Sequence, residues 1–333
     1  MSMMKMPETR WAWVEIDRGA LRRNVRAYKN LLGPRQRLCC VVKADAYGHG
    51  AIECARVMHS VGADLFAVAT VMEGVRLREG GISAPILLLS EPPVEAIPLL
   101  LEHRIMPTVY TVEFALAYGE GAVQAGTVGA YHLAIETGMN RIGVHYTEVV
   151  EFRRSIDFHR GLECDGVFTH FATADDVDGW DYKLQCKRFD EAVSAMRDAG
   201  FDCGTVHCDN TPATMLDTTT RYDMVRVGIG LYGLQPHAAR AGYECAGAHH
   251  AYDTSCHGRG CELWIHLSRS AHIGADLHDS VGICRWPFPR ALQSHGCALS
   301  RRASAPGGKH LHGSVHVRHS ADAHPPDSRG GAR

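Results

Sequence analysis

The chain alternates apolar runs of strand length with stretches of helical periodicity, and this alternation constrains the fold more than any other feature. The strand-like runs fall at residues 38–42, 65–70, 86–89, 106–110, 131–135, 166–169, 205–208 and 224–229. Helical spacing of apolar residues appears at 51–61, 72–79, 94–102, 112–122, 148–158 and 187–199. Ahead of them lie a short strand at 11–16 and a helix capped by Asp17, with Leu21, Val25, Tyr28 and Leu32 on one face. Strands separated by helical crossovers pair in parallel. Eight of them closed into a ring make an α/β fold of the (β/α)8 type, a TIM-like barrel expected over residues 11–240.

A barrel of this kind does its chemistry at the C-terminal ends of its strands, and the residues of chemical interest sit there. Lys43 and Tyr47 follow the first run, Met139, Asn140 and Arg141 the fifth, His170 the sixth, and Asn210 and Thr211 the seventh. Arg226 to Gly233 form the eighth with its turn. A lysine at the rim of a buried strand is partly out of water, which favours the neutral amine that attacks a carbonyl. The glycines at 228 and 230 allow backbone N–H groups to approach a phosphate closely.

Five segments carry a resemblance. They are Val41-Val-Lys-Ala-Asp-Ala-Tyr-Gly-His-Gly50, Glu136-Thr-Gly-Met-Asn-Arg-Ile-Gly143, Gly166-Val-Phe-Thr-His-Phe171, His207-Cys-Asp-Asn-Thr211 and Arg226-Val-Gly-Ile-Gly-Leu-Tyr-Gly233. In this order, over residues 11 to about 235, they resemble the motifs of the alanine racemase family, enzymes of the fold-type III pyridoxal-phosphate group. The resemblance implies that Lys43 carries pyridoxal 5'-phosphate and serves as one catalytic base, and that Tyr47 binds the cofactor phosphate. It places Asn210, Thr211, Gly228 and Ile229 at the cofactor too, with Thr211 standing where the family has serine. His170 lies near the cofactor ring, Arg226 contacts the pyridine nitrogen, and Arg141 lies close to the bound amino acid. A guanidinium is never a proton donor at working pH, so the ring nitrogen would stay unprotonated. Some family members have a modified lysine where this chain has Ala134, so another group must orient Arg141.

The resemblance further implies interconversion of L- and D-alanine by two bases, supplying D-alanine for peptidoglycan. The second base is a tyrosine from the partner subunit, so a homodimer is expected. Two other readings stay open: a barrel that binds pyridoxal phosphate without turnover, and a racemase of another small amino acid such as serine. A net charge of −2 gives no case for nucleic acid or an anionic membrane surface. No apolar run approaches a membrane span and residues 1–10 lack a signal-like core, so a cytoplasmic location is expected. The 12 cysteines read as reduced thiols, with Cys39 and Cys40 on opposite faces of one strand.

Residues 241–333 differ in kind. They hold 12 of the 21 histidines and a single lysine, Lys309. The family's β-domain motifs are missing, and the composition is that of a disordered tail. The histidine-rich stretch 310–319 reads as part of that biased composition, and no metal site is assigned. Codons can be chosen for Gly260-Cys-Glu-Leu-Trp-Ile-His266 that, read from the second nucleotide, encode G-V-S-Y-G-F, the family's catalytic-tyrosine segment. In the same frame residues 279–287 yield T-P-L-G-Y-A-D-G and residues 306–314 yield P-V-G-N-I-C-T-D, again in family order. The tail is therefore expected to be an out-of-frame translation, with the slip near Ala238 to Ala241.

Overall fold

A computed structural model describes residues 12–217, 222–234, 249–253, 297–300 and 316–319. Helix α1 (Arg18–Leu31) precedes the barrel. Asp17 caps it as expected, its carboxylate accepting from the amides of Gly19 and Ala20, and Leu21, Val25 and Tyr28 are buried along one face. Eight strand positions then alternate with helices: β1 (Arg37–Val41), α2 (Ala51–His59), β2 (Leu65–Val68), α3 (Val71–Glu79), β3 (Ile86–Leu88) and α4 (Ile97–Glu102). They continue with β4 (Ile105–Met106 and Thr108–Val109), α5 (Val112–Gln124), β5 (Gly129–Glu136), α6 (Val149–Ile156) and β6 (Leu162–Phe168). The last are α7 (Trp180–Asp198), β7 (Thr205–His207), α8 (Thr211–Leu216) and β8 (Met224–Val227).

Neighbouring strands pair in parallel around the ring, and β8 returns to β1 with Arg226 opposite Cys39. The expected barrel is present. Its closure runs through β4, which was expected to be unbroken. Pro107 has no N–H for the ladder, so the strand divides there. Ile105 and Met106 pair with β3, while Thr108 and Val109 pair with β5. Other boundaries move for equally local reasons. Pro98 in the first turn of α4 leaves residues 94–96 as a 3₁₀ turn, and α7 begins at Trp180, ahead of its apolar periodicity.

Alternation along β1 separates two cores. Cys39 and Val41 join Leu65, Ala67, Leu87 and Met224 in a small cluster inside the ring, whereas Leu38, Cys40 and Val42 belong to the large core under the helices. The rest of the interior holds buried Thr108, His132, His207 and Arg226, with the Phe168 ring stacked on His207 and beneath the Arg226 guanidinium. The cysteines among the described residues are free thiols. No described helix is long and apolar enough to cross a membrane.

Outside the barrel, Ala12–Ile16 and His249–Asp253 form a two-stranded sheet, and Cys297–Ser300 pairs antiparallel with His316–His319. The sequence reading placed no strand after residue 240. The rest of that segment, on which the expectation of a disordered, out-of-frame tail rests, lies outside the described residues.

Candidate active site

Lys43 is half-buried at the C-terminal end of β1, directly after Val42, whose amide donates to the Ala67 carbonyl on β2. The chain then turns with the left hand. Ala44, Asp45, Ala46 and Tyr47 have φ of 52°, 54°, 56° and 53°, a conformation costing L-residues roughly 1–2 kcal/mol each. Surrounding groups hold it. The Ala46 amide donates to the Val42 carbonyl, Glu73 on α3 accepts from the Ala44 amide at 2.7 Å, and Asp45 accepts from the Ala51 amide at 2.7 Å. The other Glu73 oxygen accepts from the amides of Ala69 and Thr70, so one carboxylate ties the lysine turn to the end of β2.

This turn brings Tyr47 beside the end of the neighbouring strand β8. Its ring lies 5.2 Å from that of Tyr232, whose hydroxyl donates to the Val41 carbonyl. A Cβ placed on Gly228 would lie 2.6 Å from Tyr47 Oη, so glycine is what lets the phenol reach the backbone there. The Gly228 amide donates to Thr211 Oγ1 at 3.0 Å, leaving the threonine hydroxyl hydrogen available to an outside acceptor. Ile229 opens the 3₁₀ turn Ile229–Tyr232, and its N–H has no partner within that turn. Asn210 caps α8, accepting from the Ala213 amide and donating to the Phe171 carbonyl. It therefore sets Thr211 in place, with both ends of its amide engaged inside the protein. Gly230 likewise makes room within the fold, since a Cβ there would fall 1.9 Å from Tyr28 Oη.

Arg226 is buried inside the ring, where its Nη1 donates to His207 Nδ1 at 2.7 Å. Its Nη2 donates to the carbonyls of Thr169 and Cys208, at 2.7 and 3.0 Å, and meets His170 Nδ1 at 3.4 Å. His207 Nε2 lies 2.8 Å from His132 Nδ1, and His132 Nε2 lies 3.2 Å from Asp165. Burial lowers the proton affinity of both imidazoles, and for His207 the Arg226 charge adds to the effect. Burial, and to a smaller extent the charge of Arg141, also works against the Arg226 guanidinium.

Arg141 is exposed on the loop after β5. Glu136 shapes that loop by accepting from the amides of Gly138 and Arg141. Thr137 ties it down through Thr169, Gln185 and Arg188. These contacts anchor the Arg141 segment beside a buried Ala134. The structure thus brings Lys43, Tyr47, Thr211, Gly228 and Ile229 to one rim of the barrel mouth, with Arg226 and His170 beside each other. Sequence reasoning did not single out Glu73, Tyr232, His132 or Asp165, and quoted His207 without a role. A histidine at mid-strand, as His132 is, was the available signal for a polar interior. No group of three or more potential metal ligands is present among the described residues.

The family model for the alanine racemase N-terminal domain matches residues 16–236. The alanine racemase of Synechocystis sp. is 41% identical over 228 residues, covering 68% of this chain and 61% of that protein. Alanine racemase 1 of Bacillus subtilis is 38% identical over 237 residues, covering 71% of this chain and 60% of that one. Among solved structures, alanine racemase from Clostridium difficile 630 superposes with a TM-score of 0.71 at 35% identity, covering 74% of this chain and 65% of that one. The Bacillus anthracis alanine racemase with bound L-Ala-P gives a TM-score of 0.69 at 32% identity, covering 74% and 64%. This chain matches about three-fifths of the length of these curated relatives. With the barrel, the order of its motifs and these likenesses in agreement, the chain belongs to the alanine racemase family.

Proposed function

We propose that the barrel binds pyridoxal 5'-phosphate and is built for the interconversion of L- and D-alanine. The observation that carries this reading is the convergence of a half-buried lysine, two hydroxyls, an amide without a partner in its turn and a buried arginine at one barrel mouth. The residues fit the cofactor. Tyr47, Thr211 and Ile229 would hold its phosphate in the space that a side chain at Gly228 would fill. Arg226 would face the pyridine nitrogen, with His170 beside it. When bound, the cofactor supplies the electron sink that acidifies the Cα–H bond of an amino acid. Lys43 Nζ would remove or return the Cα proton of a bound amino acid on one face. Arg226 holds its protons throughout, which keeps the sink weak and disfavours transamination. The second face needs a tyrosine from the partner subunit of a homodimer, and the product would be D-alanine for peptidoglycan.

Codons can be chosen for residues 260–266 that place that tyrosine segment in a shifted frame, and we propose from this that residues 241–333 are an out-of-frame replacement of the family's β-domain. The chain as it stands then binds cofactor but racemises alanine poorly. Borohydride trapping of the full chain with pyridoxal phosphate should label the Lys43 peptide, and no such label would appear in Lys43→Ala. Robust D-alanine formation by a protein of this chain's mass would overturn the impairment. Unlabelled Lys43 would overturn cofactor binding. Sequencing the coding DNA from Leu234 to Leu263 tests the frame directly.

A further inference from the structure

The barrel interior contains a hydrogen-bonded line that starts at Arg226 and ends at a carboxylate. Its direction follows from valence. A guanidinium only donates, so His207 Nδ1, 2.7 Å from Arg226 Nη1, accepts and its proton sits on Nε2. That proton points to His132 Nδ1 at 2.8 Å, which must therefore accept. His132 then carries its own proton on Nε2, facing Asp165 Oδ2 at 3.2 Å. Both imidazoles are neutral in this arrangement, and each tautomer is fixed by the residue beyond it.

The backbone is shaped to put the carboxylate there. Between β5 and β6 the register runs Tyr131 to Cys164 and then His132 to Gly166, so Asp165 is the extra residue of a β-bulge. Bulges re-aim a side chain out of the regular alternation. Two glycines make this one possible. A Cβ on Gly166 would lie 2.6 Å from the His132 ring and from the Thr205 carbonyl, and a Cβ on Gly204, whose φ is +53°, would lie 2.4 Å from the Asp165 carbonyl oxygen. The Asp165 side chain is 43% exposed while the His132 side chain is fully buried, so the line leads from solvent to Arg226.

We propose that Asp165 is a positioning residue for the cofactor site: through His132 and His207 it fixes the two tautomers that leave His207 Nδ1 as an acceptor for Arg226. Its purpose rests on the reading that Arg226 faces the cofactor ring nitrogen. Without the carboxylate, His132 loses the partner that holds its proton on Nε2. His132 can then carry its proton on Nδ1 and donate to His207 Nε2, which moves the His207 proton to Nδ1, a donor facing the Arg226 donor.

Imidazole nitrogen NMR of the full chain, labelled with ¹⁵N-histidine and free of cofactor, tests the line itself. The wild type should show both rings as neutral Nε2–H tautomers near neutral pH. Asp165→Asn, whose amide oxygen still accepts, should keep that pattern, whereas Asp165→Ala should give mixed or exchanging tautomers at His132. A protonated Nδ1 on either ring of the wild type, or unchanged tautomers in Asp165→Ala, would overturn the proposal. If Asp165→Ala does not fold, the wild-type and Asp165→Asn spectra decide. Titration with pyridoxal phosphate then reads the positioning: the dissociation constant should rise about tenfold or more in Asp165→Ala and about threefold at most in Asp165→Asn. Equal affinity of wild type and Asp165→Ala would sink the positioning role. A wild type that binds no cofactor but shows the predicted tautomers would instead count against the proposed function.

Discussion

Tyr47 Oη lies 2.6 Å from the point that a Cβ on residue 228 would occupy, so the phenol and the β8 turn are fitted to each other through a missing side chain. Gly228→Ala should push the Tyr47 hydroxyl away from the Thr211 and Ile229 end of the site. Cofactor affinity is expected to fall about tenfold or more, roughly 1.4 kcal/mol. An absorbance titration with pyridoxal phosphate measures it, and unchanged affinity would show that the phosphate lies elsewhere.

His207 is the acceptor for the buried Arg226 Nη1. Truncation to alanine leaves a charged donor without that partner inside the barrel, and such losses cost about 1–3 kcal/mol or more. Urea unfolding of His207→Ala should show a lower midpoint with an unchanged slope. Stability equal to wild type would mean that water replaces the imidazole without loss.

Buried His132 and His207 have proton affinities below the ordinary value of 6.5, mainly through burial, and half-buried His49 is shifted the same way. Groups whose folded-state pKa is lowered bind more protons when unfolded, so their contribution is intact above pH 6.5 and is lost as pH falls below it. The His207 ring, held well below its ordinary range, contributes a slope approaching about 1.4 kcal/mol per pH unit in that window. Urea midpoints from about pH 7.5 to about pH 5.5 should therefore decline, before carboxylate titration dominates. A flat profile over that range would show that the rings are charged in the folded protein or reach water.

The left-handed turn after Lys43 should respond to side-chain shape. Ala44→Gly removes the Cβ penalty at φ 52°, a gain of about 1 kcal/mol that the greater freedom of glycine in the unfolded chain largely offsets. Ala44→Val adds a β-branched side chain and should cost more than about 1 kcal/mol. Thermal unfolding of the two variants should rank glycine at or above wild type and valine clearly below; the reverse order would contradict the conformation.

The barrel was legible because its signal is repetitive: apolar strands and crossover helices recur through the chain, and the motif residues follow the strands. The residues proposed for the cofactor, Lys43, Tyr47, Thr211 and Arg226, lie in local motifs and so were open to sequence reasoning. What the sequence hid depends on geometry between distant segments. The division of β4 at Pro107 could have been suspected from a proline within an apolar run. The left-handed turn at 44–47 could not, because alanine and tyrosine normally avoid that region and contacts from distant segments, such as that of Glu73, hold them there. Asp165 was hidden too, since a one-residue bulge reverses its facing and is defined only by the register with β5.

The division of β4 also makes the ring mechanically unequal. The strands that carry or precede the residues proposed for the cofactor, β6, β7, β8 and β1, are consecutive neighbours. The interrupted strand lies outside that arc, joined to each neighbour by only two residue pairs. Because Ile105–Met106 pair only with β3 and Thr108–Val109 only with β5, the two ladders meet through Pro107, and a relative shift of β3 and β5 would be taken up by hinging at that residue rather than by shearing one continuous strand.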